Sequence, residues 1–209
     1  MRIRITYTKS NEIRFTGHLD LHRVWERTFR RSRLPVSYSQ GFNPQARIQI
    51  ASALPLGFTS QCEMLDAWLD EDVPAQTVTR TLKNCSPPGI TVIDTEVVAA
   101  NLPALQTRVI SNEYLVTPMD PIPEEVIHLR IDHFLSQKTV TRQRRNKTYD
   151  LRPLVESLEC NTPGGDTTQI KMRLSARQGA TGRPEEVVSA LGFEPTQVHY
   201  HRTNMVLAK

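Results

Sequence analysis

Residues 15–44 read FTGHLDLHRVWERTFRRSRLPVSYSQGFNP and contain the strongest helix pattern in the chain. At the helical repeat of about 100° per residue, apolar side chains fall on one side and arginines on the other. The apolar stripe comprises Leu21, Val24, Trp25, Thr28 and Phe29. The arginine face comprises Arg23, Arg27, Arg30 and Arg31. Because Pro35 lacks an amide proton, we expect the helix to stop after Leu34. The pattern predicts an amphipathic helix that presents guanidinium groups to solvent.

A loop with two aromatic side chains follows the predicted helix. Tyr38 and Phe42 stand close to Gly41 and Asn43, residue types that tolerate unusual backbone conformations. The rings either stack on nucleic-acid bases or pack into the core beneath the loop. Both alternatives are consistent with the sequence.

Composition places the chain among soluble globular proteins. It has 209 residues, of which 38% are hydrophobic and 23% charged, and a net charge of +4. No apolar run is long enough to span a bilayer, and the first ten residues alternate like a strand and do not resemble a signal peptide. We therefore expect a cytoplasmic protein. Its three cysteines are far apart, which argues against a disulfide framework and against the three-cysteine cluster of a radical-SAM enzyme.

The order of predicted elements indicates an α+β fold. In the first half we expect strands at residues 2–9, 47–50, 62–70 and 90–98, and a second helix at 75–84. In the second half we expect strands at 107–117, 169–175 and 197–207, helices at 123–135 and 184–191, and a hairpin at 139–151 that turns near 146–147. This order predicts two tandem ferredoxin-like (βαββαβ) halves, residues 1–99 and 105–209.

A second basic group occurs in the predicted hairpin. It comprises Arg142, Arg144, Arg145, Lys147 and Arg152, with Tyr149 in the same hairpin. Arg142 and Arg144 share one strand face because side chains alternate with period two. Charge runs are usually solvated surfaces, but arginine also stacks on bases and forms paired hydrogen bonds to phosphate. We expect both basic groups to bind RNA, with Tyr38, Phe42 and Asn43 contributing from the loop. Nearby, Asp150 and Arg152 indicate a pair that fixes a strand end.

His18 and Asp20, at the start of the first helix, are the candidates for catalysis. A histidine beside a carboxylate can transfer protons or orient a ligand, and a buried histidine can instead bond to the loop backbone. We expect one small polar pocket here, formed by His18, Tyr38 and Asn43 and floored by Phe15 and Phe42. The spacing of His18, His22 and Glu26 is compatible with metal binding, but it is weak evidence. We expect no metal and no cofactor.

Several blocks of this sequence resemble the bacterial radical-SAM-linked proteins. They are His18-Leu-Asp-Leu, Leu34-Pro-Val, Gly41-Phe-Asn-Pro44, Ser52-Ala-Leu-Pro-Leu-Gly57, Asp150-Leu-Arg-Pro153 and Arg183-Pro184. Members of that family are encoded beside, or fused behind, a radical-SAM protein. The chain departs from the family at Gly17, where a serine is usual, and at Gln45, where a histidine is expected. The resemblance implies a radical-SAM protein as partner.

These observations predict an accessory RNA-binding protein, for tRNA or rRNA, that works with a separate radical-SAM partner in RNA modification. We expect no membrane association. One alternative is a metal-free enzyme with a site at His18 and the loop at residues 38–44. Another is an assembly module that binds its partner through the arginine face.

Overall fold

The computed structural model describes residues 1–144, 146–162 and 168–208. They form two compact units, Met1–Val109 and Ile110–Ala208. Each unit combines helices with antiparallel strands, so the predicted mixed α+β class is confirmed. The two units are described separately below.

The first unit follows the predicted element order. Its elements are β1 (Arg2–Lys9), α1 (His18–Ser32), β2 (Ile48–Ile50), β3 (Thr59–Trp68), α2 (Ala75–Cys85), β4 (Ile90–Val98) and the short α3 (Leu105–Arg108). β3 pairs with β1 and with β2, and β1 also pairs with β4, all antiparallel. The strand order is therefore β2-β3-β1-β4. The short helix α3 was not predicted.

One face of β1 and the apolar stripe of α1 meet in the core of this unit. Ile3, Ile5 and Tyr7 alternate along β1 and are fully buried. The ring of Trp25 packs edge-on against Tyr7, with 4.8 Å between the centroids, and Phe29 is likewise fully buried. The predicted stripe of α1 is confirmed, since Leu21, Trp25, Thr28 and Phe29 are buried and Val24 packs against the same core. This packing fixes which side of the helix is left to solvent.

The other face of β1 carries a buried ion-pair network. Arg2 and Arg4 both donate to the carboxylate of Asp66 on β3, through four hydrogen bonds of 2.6 to 3.1 Å. All three side chains are almost completely buried. Arg2 also donates to the carbonyl oxygens of Leu102 and Pro103. The network therefore ties the segment after β4 to the sheet.

The end of α1 differs from the prediction. The helix stops at Ser32, two residues before the expected Leu34, because Arg33 adopts the left-handed conformation with φ of 56°. The hydroxyl of Ser32 donates to the carbonyl oxygen of Phe29 and accepts the amide proton of Leu34. The chain thus turns before Pro35 is reached, and the proline is not the direct cause of the stop.

The second unit contains the remaining strands and helices. They are β5 (Val109–Pro118), α4 (Glu124–Ser136), β6 (Thr141–Arg144), β7 (Lys147–Asp150), β8 (Val155–Asn161), β9 (Gln169–Arg177), β10 (Ala180–Thr181), α5 (Pro184–Ala190) and β11 (Val198–Leu207). The main strand order is β8-β9-β5-β11, β10 also pairs with β9, and β6 and β7 form a two-stranded sheet of their own. The hairpin with a turn near residues 146–147 is confirmed, and β8 was not predicted.

Asp150 fixes the base of the β6–β7 hairpin. Its carboxylate oxygen Oδ1 accepts the amide protons of Val140 and Arg152, at 2.8 and 3.0 Å. The guanidinium of Arg152 instead donates to the carbonyl oxygens of Val155 and Leu135. The predicted role of Asp150 at a strand end is therefore correct, but its partners are backbone amides and not the Arg152 side chain.

Candidate nucleic-acid interface

The arginine face of α1 is exposed along its length. The burial of Trp25 and Phe29 turns all four arginines toward solvent. Arg23 donates to Asp20 at 3.1 Å, and Arg31 donates to the Thr28 hydroxyl at 3.4 Å. Within the described part of the chain, Arg27 and Arg30 form no ion pair. The helix therefore presents positive charge that its own acidic residues do not fully neutralise.

The segment after α1 folds into a narrow hairpin-like loop. Tyr38 forms a bridge with Ala46. The amide of Ser39 donates to the carbonyl oxygen of Gln45 at 2.8 Å, and the amide of Gln45 donates to the Ser39 hydroxyl at 3.0 Å. Gly41, at the tip, has φ of +134°, which L-amino acids rarely adopt. These contacts hold the tip, residues 40–44, away from the core.

Both aromatic side chains of this loop reach solvent. Phe42 is fully exposed and Tyr38 is 45% exposed. Of the two alternatives left open by the sequence, packing beneath the loop is therefore wrong for Phe42. The side chain of Phe42 is available to stack on a flat ligand, as is part of the ring of Tyr38.

The predicted floor of a polar pocket at this loop is wrong. Phe15 is 70% exposed and Phe42 is fully exposed, so neither ring closes the bottom of a pocket. His18 and Asn43 are exposed as well. The reason is the paired stem of the loop, which extends its tip into solvent. His18 is the first residue of α1, and its catalytic role and that of Asp20 remain predictions.

Lys9 anchors the segment that leads into α1. Its ammonium group is buried and donates to the carbonyl oxygens of Arg14 and Thr16, at 3.2 and 3.0 Å. Gly57 contributes an amide that donates to the same carbonyl of Arg14 at 2.9 Å. These contacts fix the start of α1 and hence the direction of the arginine face. Sequence reasoning placed Lys9 in a strand and did not identify this role.

A basic cavity lies in the second unit, beside the β6–β7 hairpin. Its volume is about 830 Å³. It is lined by Arg144, Lys147, Tyr149, Asp150, Leu154, Gly179, Ala180, Thr181 and Arg183. Three cationic side chains and one tyrosine therefore line the cavity. The lining contains one carboxylate, Asp150, which already accepts hydrogen bonds from two backbone amides. Such a lining suits an anion that carries a ring.

The hairpin register brings the predicted basic residues onto one face. Arg142 lies opposite Tyr149, and Arg144 lies opposite Lys147. Residues directly opposite each other in an antiparallel pair share a face, so all four side chains are together. The predicted shared face of Arg142 and Arg144 is confirmed. Arg145 lies outside the described residues.

Tyr149 is held in its neutral form. Partial burial raises the pKa of its phenol, and the negative charge of Glu186 raises it further, while Arg183, Arg144 and Arg142 act in the opposite direction. A neutral phenol can donate a hydrogen bond or stack without repelling a phosphate. Arg183 and Gly179 were not predicted as part of this site, because only the fold brings the β9–β10 turn and the start of α5 to the hairpin.

Comparison with known proteins identifies the family. Residues 2–184 match the family described as "Uncharacterized protein conserved in bacteria (DUF2344)". The chain belongs to this family. The description mentions no radical-SAM protein, so that link remains a prediction. No curated protein matches the sequence.

Two solved complexes contain chains that match this one at low sequence identity. A chain from the "Crystal Structure of a Cbf5-Nop10-Gar1 Complex" is 10% identical with a TM-score of 0.51, and the match covers 97% of this chain and 48% of that one. A chain from the "Crystal structure of the archaeal box H/ACA sRNP Nop10-Cbf5 complex" is 12% identical with a TM-score of 0.46, with coverage of 98% and 48%. This chain thus spans about half the length of these structures. Among the described residues, no helix is long and apolar enough to cross a membrane.

Proposed function

We propose that this chain is an accessory RNA-binding protein, for tRNA or rRNA, that works with a separate radical-SAM enzyme in RNA modification. The observation that carries the proposal is the exposed arginine face of α1. Arg27 and Arg30 project from a helix whose other side is fixed in the core, and no carboxylate within the described residues pairs with them. A rigid row of unneutralised guanidinium groups matches the spaced charges of a phosphate backbone.

The choice of arginine supports a nucleic-acid ligand. Solubility requires only charge, which lysine supplies equally well, whereas a guanidinium forms two parallel hydrogen bonds with a phosphate and also stacks on bases. All four cations of the face are arginine. Arg33, the exposed C-cap of α1, adds a fifth that was not predicted.

The exposed rings of the loop supply the second element of such an interface. The Phe42 side chain is fully exposed, so packing in the core does not account for this large apolar residue. Stacking of a base on an aromatic side chain contributes about 1–3 kcal/mol per base and needs no specific sequence. We assign base stacking to Phe42 and Tyr38, with Asn43 beside them as a hydrogen-bonding group.

The basic cavity of the second unit is the other proposed RNA contact. Arg144 and Lys147 on the hairpin and Arg183 before α5 supply positive charge, and Tyr149 supplies a neutral ring. Arg142 lies on the same hairpin face, and Arg145 follows Arg144 in sequence. This contact shares no residue with the arginine face.

The proposal includes two ferredoxin-like domains, residues 1–99 and 105–209. The strand order β2-β3-β1-β4 supports this for the first half. The order β8-β9-β5-β11 supports it for the second half, with the β6–β7 hairpin inserted between α4 and β8. Sheets of this kind with helices between the strands are frequent in RNA-binding modules.

The decisive experiment compares two double variants in RNA binding. Arg27→Gln with Arg30→Gln removes two exposed cations of α1, three residues apart. The matched control, Arg80→Gln with Lys83→Gln, removes two exposed cations of α2 at the same spacing. Fluorescence anisotropy with labelled cellular tRNA and rRNA fragments, repeated over a salt series, gives the affinity and its salt dependence.

We expect the α1 variant to bind more weakly and to lose about 1.4 from the slope of log K against log salt, about 0.7 for each phosphate contact to a single strand. The control should keep the slope of the unmodified protein. Equal slopes for both variants would show that the arginine face is only a solvated surface. A fall in melting temperature of the α1 variant would instead mean that these arginines stabilise the fold.

The radical-SAM partner is tested by purification from native cells at low and moderate salt. We expect a protein with a three-cysteine iron–sulfur motif to co-elute with this chain in size-exclusion chromatography. Separate peaks at both salt concentrations would contradict the partnership, and they would leave the RNA-binding result unaffected.

A further inference from the structure

The structure brings three potential metal ligands together in the second unit. Glu124 and His128 lie one turn apart on α4, and Cys160 lies on β8, which packs against that helix. Oε1 of Glu124 is 3.3 Å from Nε2 of His128, and the ligand atoms of all three residues lie within 4.8 Å of one another. Within the described residues, no other group of three such side chains comes this close.

The distances suit a tetrahedral ion. Zinc binds carboxylate oxygen and imidazole nitrogen at about 2.0–2.2 Å, so two such ligands on one tetrahedron stand about 3.3–3.5 Å apart. The observed separation of Glu124 and His128 falls at this value. The thiol requires only a small side-chain movement to complete three ligands, and water would occupy the fourth position. Glu124 and His128 are about half exposed, which leaves a path for an ion to enter.

We propose that Glu124, His128 and Cys160 form a binding site for Zn²⁺. The combination of sulfur, nitrogen and oxygen ligands is typical of zinc and is unsuited to Mg²⁺ or Ca²⁺, which take oxygen ligands. The site bridges the start of α4 and the end of β8, so a bound ion would link the two elements. It shares no residue with the arginine face or the basic cavity.

The experiment uses the full chain after removal of metals with a chelator. Co²⁺ is added first, since a thiolate bound to Co²⁺ gives a charge-transfer band in the near ultraviolet, and Zn²⁺ is then titrated in competition. We expect one ion per chain and displacement of Co²⁺ by Zn²⁺. In Cys160→Ser the band should disappear, and Zn²⁺ affinity should fall at least tenfold, as even the loss of a supporting residue costs about 10–100-fold.

Matched controls use residues of the same type elsewhere. Cys62→Ser removes another partly buried cysteine, and His133→Ala removes an exposed histidine of the same helix. Both should keep the band and the affinity, whereas His128→Ala should lose them. Absence of a band in the unmodified protein, or its survival in Cys160→Ser, would overturn the proposal. Circular dichroism of each variant confirms that the fold is intact.

Discussion

Replacing Asp66 by asparagine tests the buried network of the first unit. The change preserves the shape of the side chain but removes the charge that Arg2 and Arg4 share. The introduced amide group would also direct an N–H donor toward the guanidinium donors. Both arginines are less than 10% exposed, so water cannot take over the role of the carboxylate. Breaking a buried ion pair by removal of one partner costs about 3–5 kcal/mol.

Tryptophan fluorescence in urea measures this cost directly. Both tryptophans, Trp25 and Trp68, lie in the first unit, so their emission reports on its unfolding. With a slope of about 2 kcal/mol per molar urea, a loss of 3–5 kcal/mol lowers the midpoint by about 1.5–2.5 M. The matched control is Glu96→Gln. Glu96 lies 3.8 Å from Arg4 but is 59% exposed, and we expect a change of less than about 1 kcal/mol.

The reasoning would be refuted by a midpoint for Asp66→Asn within about 0.3 M of the unmodified protein, a shift worth only about 0.6 kcal/mol at that slope. Equal effects of the two substitutions would also refute it, because Asp66 is buried and accepts four hydrogen bonds, whereas Glu96 is exposed and lies 3.8 Å from one arginine. The difference between the two changes in unfolding free energy therefore measures how much the buried ion pairs contribute to the stability of this sheet.

Two further predictions concern the second unit. Gly182→Ala should lower the free energy of unfolding by about 1–3 kcal/mol, because the added Cβ would stand 2.9 Å from the carbonyl oxygen of Leu154 and 3.2 Å from Cβ of Leu174. Calorimetry checks this, and an unchanged melting temperature would contradict it. Burial lowers the pKa of His201 below its ordinary value of 6.5. As the pH falls, the unfolded chain therefore binds the proton before the folded one does, and the free energy of unfolding decreases below about pH 6.5. His201→Gln should flatten this dependence in thermal unfolding followed by circular dichroism between about pH 5 and 8, and an unaltered slope would exclude the effect.

Helices and strands whose apolar residues recur at a constant spacing could be predicted from the sequence. β1 alternates strictly and was predicted with its observed bounds, and α1 has a wide apolar stripe. β8 was missed because a register shift between Val155 and Ser157 interrupts its alternation. Its buried residues, Val155 and Leu158, are three positions apart, which is not a strand spacing. A local irregularity thus hides a strand that is evident from its pairing with β9.

The candidate site was predictable only in its local parts. The arginine face follows from helix geometry, and the shared face of Arg142 and Arg144 follows from strand geometry. The cavity depends on Arg183, which is distant in sequence from the hairpin. The spacing of residues along a single helix or strand cannot predict such a contact. The proposed ligands Glu124 and His128 have a visible spacing of four, but their meaning depends on Cys160 and therefore on the packing of β8 against α4.

The hairpin β6–β7 has a consequence for how this family can diversify. It forms a sheet of its own, and its base is closed by the two hydrogen bonds that the Asp150 carboxylate accepts from backbone amides. Its side chains can therefore change in charge and size without disturbing the strands that bury the core. As long as Asp150 is kept, substitutions at the other positions of the hairpin can change which ligand is bound. The fold of the second unit would stay the same.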